Sequence, residues 1–301
     1  MSPDPTDATP TGATPADPFT AFAVGRDVGF DGAVMHQALG SRVTDHRGLI
    51  DLPALAVLFD DLGGYRFFIE DPAATSLQSR LTMAMLDRPD VDERVQATAD
   101  LRMSSPGYGT TTVEITGDGG RVLCSGLARN VRVGRAASGP AELNLAVPQA
   151  PNDVPIVDAL PGGPTGREVI DAIRQGAPIG PIATMLGGSI SAADDDGLTY
   201  TTETAAWMGN MMGTMHGGII GAVVAQGCSF GAQLYTGTGQ RYQIVDFTVA
   251  FLRSPAVDGR RIHTRVSPVK LGRRLSVFDA DLRDEDGTLL AHATADVRFD
   301  V

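Results

Sequence analysis

The sequence predicts an α+β protein in which one long helix followed by an antiparallel sheet occurs twice in tandem. Three observations support this prediction: an internal repeat, one helix-like apolar segment in each half, and a series of alternating strand-like segments after each helix. With 301 residues, the chain is long enough for two domains that each bury a sizeable core.

The internal repeat relates the two halves of the chain at a nearly constant offset. Residues 80–89, RLTMAMLDRP, align with residues 246–255, DFTVAFLRSP, at an offset of 166. Residues 120–128 align with residues 287–295 at an offset of 167, and Gly48 aligns with a glycine 165 positions later. Three matching patches in the same order indicate a tandem duplication.

Each half has one helix-like segment. In the first half, Leu52, Leu55, Phe59 and Leu62 follow the helical period. In the second half, Gly217–Leu234 is almost wholly small or apolar, although it contains interior glycines that each cost a helix about 1 kcal/mol. We therefore expect this second helix to be buried, with its backbone close against a sheet.

Eight alternating segments, punctuated by Gly and Pro, follow these helices, four in each half. The predicted strands are 77–86, 94–103, 110–116 and 122–131 in the first half, and 243–252, 261–267, 275–283 and 288–299 in the second.

Composition predicts the boundaries of the tail, the linker and the two domains. The start of the chain is rich in Pro, Thr, Ala and Asp, which predicts a disordered tail over 1–20. A Pro-rich stretch predicts a linker over 134–166, so the two domains are 21–133 and 167–301.

Charge and composition exclude several classes of protein. The formal net charge of −12 argues against nucleic-acid binding, which needs basic patches. Two cysteines do not make a disulfide framework. The start of the chain lacks a secretion-signal pattern, and no stretch has the roughly 20 apolar residues that span a membrane. We therefore expect a cytoplasmic protein that binds neither nucleic acid nor membrane.

The second half carries three motifs in order. An N-x5-H-G-G run occupies residues 210–218, a strand ending FLRSP closes at residue 255, and a G-x-L-x-A-x-A pattern covers residues 287–293. These motifs resemble the hotdog-fold acyl-CoA thioesterases of the PaaI type. The resemblance covers essentially all of 167–301 and extends, more weakly, through the repeat to about 21–133.

This resemblance implies two tandem hotdog domains, each a sheet wrapped around a central helix, packed together as a pseudo-dimer. It also implies an acyl-CoA thioester substrate and active sites at the interface of two hotdogs. No cofactor is implied beyond the CoA of the substrate. Two chains are expected to associate further, as a homodimer of double hotdogs.

The resemblance also implies a catalytic acid nine residues after the histidine of the motif, and here the two halves differ. In the second half, that position holds Ala225, whereas the repeat places Asp60 at the equivalent position in the first half. The first half in turn lacks the motif, since Asp45 and Asp51 replace the Asn and the His. Each half has what the other has lost.

These complementary losses predict one working site per chain, in which Asp60 faces Asn210, His216 and Gly217. Asn210 would orient the water or the thioester, and His216 would fix the loop or polarise the carbonyl. Asp60 would act as a general base on water or as a nucleophile that forms a mixed anhydride; the sequence leaves both open.

The two helix starts predict different electrostatics. Gly217 and Gly218 would leave the first N–H groups of their helix uncovered, giving an oxyanion site in which one donor is worth about 3–4 kcal/mol. In the first half, Asp51 is a good N-cap and Pro53 lacks an N–H, so that helix start should be catalytically silent.

Further residues are candidates for binding the substrate. Gln78 lies where some members of the family have a polar helper. Arg253, Arg273 and Arg274 are candidates for the CoA phosphates, because guanidinium groups match phosphate geometry. No spacing of the histidines predicts a metal site.

Several alternatives remain open from sequence. Asp60 and Asp61 are also typical of a solvated helix edge, and Asn210 is a common turn former. Because site residues have been lost, a non-catalytic acyl-CoA-binding or regulatory protein is the main alternative function. A hotdog hydratase would show an Asp-x4-His pair at a helix start, which this sequence lacks.

Overall fold

The computed structural model describes residues 14–26, 34–134, 146, 149–158 and 163–299. Within these ranges, twelve strands form one sheet in the order β1-β2-β4-β5-β6-β3-β9-β12-β11-β10-β8-β7. The strands of the first half are β1 (Val24–Gly25), β2 (Val34–Ala38), β3 (Ser76–Met85), β4 (Arg94–Ser105), β5 (Tyr108–Thr116) and β6 (Val122–Arg132). Those of the second half are β7 (Gly188–Asp194), β8 (Gly197–Glu203), β9 (Tyr242–Phe251), β10 (Arg261–Lys270), β11 (Leu275–Asp284) and β12 (Leu289–Phe299).

The sheet consists of two equivalent halves of six described strands each, which are joined by the antiparallel pair β3–β9. In this pair Thr82 lies directly opposite Thr248, and the Thr248 hydroxyl donates to the Thr82 hydroxyl at 3.3 Å. These two threonines are equivalent positions of the sequence repeat. A pseudo-twofold axis therefore passes between them, and the duplicated domains pair as a pseudo-dimer.

Two long helices pack against each other and against the sheet. They are α2 (Leu52–Phe68) and α5 (Gly217–Leu234). Gly217 lies beside Asp60 and Gly221 beside Ala56, so the two helices run antiparallel. The shorter helices are α1 (Pro18–Phe22), α3 (Gly166–Arg174) and α4 (Pro181–Met185).

Helix α5 is the central core helix predicted from its apolar sequence. Every residue of α5 after Gly217 is buried. By length and apolar composition alone, this helix could cross a membrane, but 94% of it is buried inside the protein, as expected for a core helix. A Cβ at Gly227 would lie 2.9 Å from Thr264 Cγ2 of β10, which confirms that the helix backbone lies close against the sheet.

The structure confirms the predicted fold class and all eight predicted strands, which correspond to β3–β6 and β9–β12. The short strands β1, β2, β7 and β8 and the short helices were not predicted. The predicted disordered tail needs a correction, since residues 18–20 belong to α1; residues 1–13 lie outside the described residues. Asp17 caps α1, and Pro18 and Phe19 are buried, so this segment has the apolar contacts that order it.

The predicted linker lies partly outside the described residues. Within its described part, the Asn152 side chain accepts from the backbone N–H of Ser41, and Asp153 forms an ion pair with Arg42 at 2.5 Å. This segment therefore packs on the first half. The domain boundaries themselves stay a prediction.

Candidate active site

A cavity of about 260 Å³ lies where α5 begins, between the two halves. The predicted residues Asp60, Gln78, Asn210, His216 and Gly217 all line it. The rest of its wall is largely apolar or aromatic: Pro18, Phe19, Tyr65, Phe68, Leu77, Met211, Met212, Ile220 and Phe251. The tertiary structure thus brings the complementary residues of the two repeats into one pocket.

Asp60 lies in the third turn of α2, and its carboxylate reaches the start of α5. Its Oδ2 accepts from the Gly218 N–H at 2.6 Å, whereas its buried Oδ1 has no hydrogen-bond partner among the described residues. Burial and the neighbouring Asp61 together raise the pKa of Asp60 to about 8, although the hydrogen bond from the Gly218 N–H acts to lower it. One carboxylate oxygen is therefore fixed by a hydrogen bond, and the other is buried beside the cavity without a partner among the described residues.

This contact corrects the prediction that the start of α5 is bare. The Gly218 N–H is occupied by Asp60, because the antiparallel packing places the carboxylate of α2 against the N-terminus of α5. The Gly217 N–H has no acceptor among the described residues, and Gly217 lines the cavity. The helix start therefore retains one free donor, where the dipole of α5 favours negative charge.

His216 is the N-cap of α5 and lies beside Asp60. Its Nδ1 accepts from the Gly218 N–H at 3.1 Å and lies 3.3 Å from Asp60 Oδ2. The Phe19 ring packs edge-on against the imidazole, with 5.6 Å between centroids. Burial lowers the pKa of His216 to about 4, so the ring is neutral near pH 7. Because Nδ1 accepts a hydrogen bond, the single ring proton is on Nε2.

Asn210 and Gln78 line the cavity, but their observed hydrogen bonds are to protein groups. The Asn210 Oδ1 accepts from the Met212 and Thr214 N–H groups at 2.8 and 3.3 Å, which shapes the loop before His216. This is the turn-forming alternative considered from sequence. The Gln78 Nε2 donates to the backbone carbonyl of Asp60 at 2.7 Å and so fixes the position of that residue.

The structure does not bring the three predicted arginines into the cavity. Arg253 is exposed and precedes Ser254, which does line the cavity. Arg273 and Arg274 are exposed at the turn after β10, and the Arg274 carbonyl accepts from Phe299 at the far end of β12. That end of the sheet is opposite the cavity, so these two side chains cannot reach it.

At the equivalent position on the other side of the pseudo-twofold axis, two partly buried arginines form an ion network with buried carboxyl groups. Arg47 contacts Asp45 at 2.5 Å and Asp51 at 2.6 Å, and Arg88 contacts Asp51 at 3.1 Å. Both guanidinium groups also donate to the Tyr242 carbonyl. Burial opposes ionisation of Asp45, but Arg47 keeps its pKa below the usual value. Asp51 is the N-cap of α2, as predicted.

Several residues of the cavity were missed by the sequence analysis, among them Phe19, Arg26 and Tyr65. Phe19 was assigned to the predicted tail, although Asp17 followed by Pro18 is a helix-start signal that could have revealed it. No sequence pattern marked Arg26 or Tyr65 as residues of a site. Asp61 was considered as a solvated edge, and it lines the cavity with a side chain that is 20% exposed.

Comparison with known proteins identifies relatives of the second repeat and of the whole fold. A family model for the acyl-CoA thioesterase N-terminal domain matches residues 204–298, which include the motif, α5 and strands β9–β12. No curated protein matches the chain.

Solved structures match over nearly the whole chain. A protein described as a thioesterase from Novosphingobium aromaticivorans is 14% identical, with a TM-score of 0.60, over 92% of this chain and 98% of that chain. A TesB protein of Mycobacterium avium subsp. paratuberculosis is 10% identical, with a TM-score of 0.60, over 94% and 98%. A hotdog-fold protein of Alicyclobacillus acidocaldarius is 16% identical, with a TM-score of 0.59, over 93% and 97%.

At these identities the structural matches establish the fold, which is the predicted tandem hotdog. The family model confirms the predicted enzyme class, because the region of the second repeat that carries His216 and Gly217 matches an acyl-CoA thioesterase domain. The protein is a thioester hydrolase of the hotdog fold.

Proposed function

We propose that the chain hydrolyses acyl-CoA thioesters to free acid and CoA at one composite site, and that it is of the PaaI type. The observation that carries this proposal is the contact between the Asp60 carboxylate of one repeat and the start of α5 in the other. The apolar lining of the cavity suits an acyl chain, and the cavity opens between the two halves.

The free Asp60 Oδ1 is the base in this proposal. It takes a proton from a water molecule as that water attacks the thioester carbonyl, and such assistance is worth about 10²–10⁴-fold. A buried carboxyl with a raised pKa is a stronger base than an exposed one. The negative charge leaves the carboxylate as the oxyanion forms, so the two charges do not have to coexist.

The developing oxyanion is received by the Gly217 N–H, with the His216 Nε2–H as a second donor. Neutral His216 can fill this role because its single ring proton is on Nε2. Asn210 fixes the loop that carries His216, and Gln78 fixes the backbone of Asp60. Both are positioning residues.

Steady-state release of free CoA from a panel of acyl-CoAs tests the proposal. We expect turnover by the wild type and a loss of about 10²–10⁴-fold in kcat for Asp60→Asn, which keeps the shape of the side chain but removes the base. Asp71→Asn, at an exposed acidic position outside the cavity, is the matched control and should retain wild-type rates.

Wild-type rates in Asp60→Asn would contradict the assignment of the base. Saturable acyl-CoA binding by the wild type without release of CoA would instead support the non-catalytic alternative. Incorporation of ¹⁸O into Asp60 during a single turnover in labelled water would show that Asp60 acts as a nucleophile.

A further inference from the structure

A second carboxyl group faces the same cavity from the same helix. Asp61 follows Asp60 in α2, and its Oδ1 lies 4.0 Å from His216 Nε2. Asp60 Oδ2 lies 3.3 Å from His216 Nδ1. The imidazole of the second repeat is therefore placed between two carboxyl groups of the first repeat, one beside each ring nitrogen.

The two carboxyl groups differ in their contacts. Asp60 is almost fully buried and is held by the Gly218 N–H, whereas the Asp61 side chain is 20% exposed and, among the described residues, accepts no hydrogen bond from a backbone donor of α5. Burial raises the pKa of Asp61 to about 7, and the positive charge of Arg26 opposes this shift. Asp61 thus keeps a proton in a substantial fraction of molecules near neutral pH and can exchange it with water.

An acid can assist the hydrolysis of a thioester as well as a base, because protonation of the departing sulfur avoids its release as a thiolate. His216 cannot supply that proton as an imidazolium, since burial keeps the ring neutral. Asp17, which also lines the cavity, accepts from the Thr20 N–H as the cap of α1. Arg26 lies over the Tyr65 ring, with 5.3 Å to its centroid, and does not release a proton at neutral pH.

We propose that Asp61 is the general acid of this site and delivers its proton to the sulfur of the departing thiol. The inference rests on the proposed thioesterase function. After water has added to the carbonyl, the C–S bond breaks and its electron pair moves to sulfur. The Asp61 O–H bond breaks at the same time, and its proton forms the S–H bond of the free thiol.

The proton balance closes within the site. Water gives one proton to Asp60 and its oxygen to the acyl product, which then leaves as a carboxylic acid or a carboxylate. Asp60 releases its proton and Asp61 regains one through solvent, for which the exposed part of its side chain provides access. The cycle needs no reactant other than water and the thioester.

Variation of the leaving group tests the role of Asp61, because a thiol that leaves readily as a thiolate does not need an acid. Two substrates carry the same acyl group on different thiols. One thiol is CoA, an alkyl thiol whose pKa resembles that of Cys at about 8.5, and the other is an acidic nitro-substituted thiophenol. We expect Asp61→Asn to lose about 10²-fold in kcat on the CoA ester and less than about 5-fold on the aryl ester. Asp60→Asn should lose activity on both, and Asp71→Asn on neither.

Equal losses on both esters, or no loss on either, in Asp61→Asn would overturn the assignment. If that variant does not fold, the wild type gives the same information through alkyl and aryl thiols of graded acidity. A weak dependence of kcat on thiol pKa is expected with a general acid, and a steep dependence would overturn the proposal. Failure of the thioesterase proposal is distinct, because the wild type would then release no thiol from the CoA ester.

Discussion

The Asp60 carboxylate accepts a hydrogen bond from the Gly218 N–H at 2.6 Å, and these two residues belong to different copies of a duplicated domain. Neither copy contains both partners at equivalent positions, since Ala225 occupies the place of Asp60 in the second repeat. The duplication thus separates two roles that a symmetric dimer would need in each subunit. One repeat supplies the Asp60 carboxyl group, and the other supplies the helix start.

The activity should depend on pH through both carboxyl groups of the cavity. Asp60 must be ionised to act as a base, and Asp61 must be protonated to act as an acid. With pKa values of Asp60 and Asp61 raised to about 8 and about 7, the pair carries one proton over only a narrow range, and the active form, with that proton on Asp61, is the minor of the two singly protonated forms. The other charged or titratable groups that line this cavity include Asp17 at the start of α1, Arg26 after β1, and His216, whose ring is neutral near pH 7.

We therefore expect a bell-shaped pH profile of kcat/KM, with its maximum between about 7 and about 8, from initial rates of CoA release. In Asp61→Asn the alkaline limb should disappear. The remaining rise should follow the ionisation of Asp60 alone, with a pKa below about 8, because Asp61 no longer raises the pKa of Asp60. An unchanged bell in Asp61→Asn would contradict this prediction.

Asp60 should also lower the stability of the fold as pH rises. Its folded pKa of about 8 lies above the ordinary value of 3.8, so between these values the folded state holds a proton that the unfolded state has released. The wild type therefore loses stability across this range, and Asp60→Asn does not. Urea unfolding at several pH values should show the variant gaining stability relative to the wild type as pH rises, and Asp71→Asn should show no such trend.

The two glycines at the start of α5 should respond differently to alanine. A Cβ at Gly217 would lie 2.9 Å from both carboxylate oxygens of Asp60, whereas a Cβ at Gly218 would lie 2.6 Å from the Val57 backbone. Gly217→Ala should therefore displace the Asp60 side chain and reduce kcat by about 10-fold or more, while the fold is retained. Gly218→Ala should push the two helices apart and lower the free energy of unfolding by about 1–3 kcal/mol. Thermal melts and CoA release on both variants separate the two effects.

The ion network on the other side of the axis should contribute to the fold and not to turnover. Arg47→Met removes a guanidinium that contacts both Asp45 and Asp51, which are buried. Leaving buried carboxylates short of a partner costs about 3–5 kcal/mol, so chemical denaturation should show a large loss. Activity per folded molecule should stay at the wild-type level, and a parallel fall in kcat would contradict this separation of roles.

Restoring an acid to the second repeat should not create a second site. Ala225 is fully buried, and the nearby helix start of α2 is capped by Asp51, whose Oδ2 is held by two arginines. We expect Ala225→Asp to destabilise the fold, since it buries a carboxyl group. The double variant Asp60→Asn with Ala225→Asp should remain inactive. Recovery of CoA release in that double variant would show that the ion network leaves a usable site.

The repeat, the periodicity of its apolar residues and the motif around His216 were sufficient to predict the tandem hotdog, its two long helices and eight of its strands. These are local signals, because each depends on residues that are neighbours in sequence or on a fixed offset between copies. The same alignment showed that Asp60 and His216 are complementary. It could not show that Asp60 would occupy the N–H of Gly218.

Only the tertiary structure decided which polar groups meet and which are buried. The antiparallel packing of α2 on α5 sets the contact of Asp60 with Gly218, and it also brings Asp61 and the N-terminal Phe19 to the imidazole. It likewise carries Arg273 and Arg274 to the end of the sheet away from the cavity. The shifted pKa values follow from that burial, because desolvation depends on every element packed around a group and not on its own sequence neighbours.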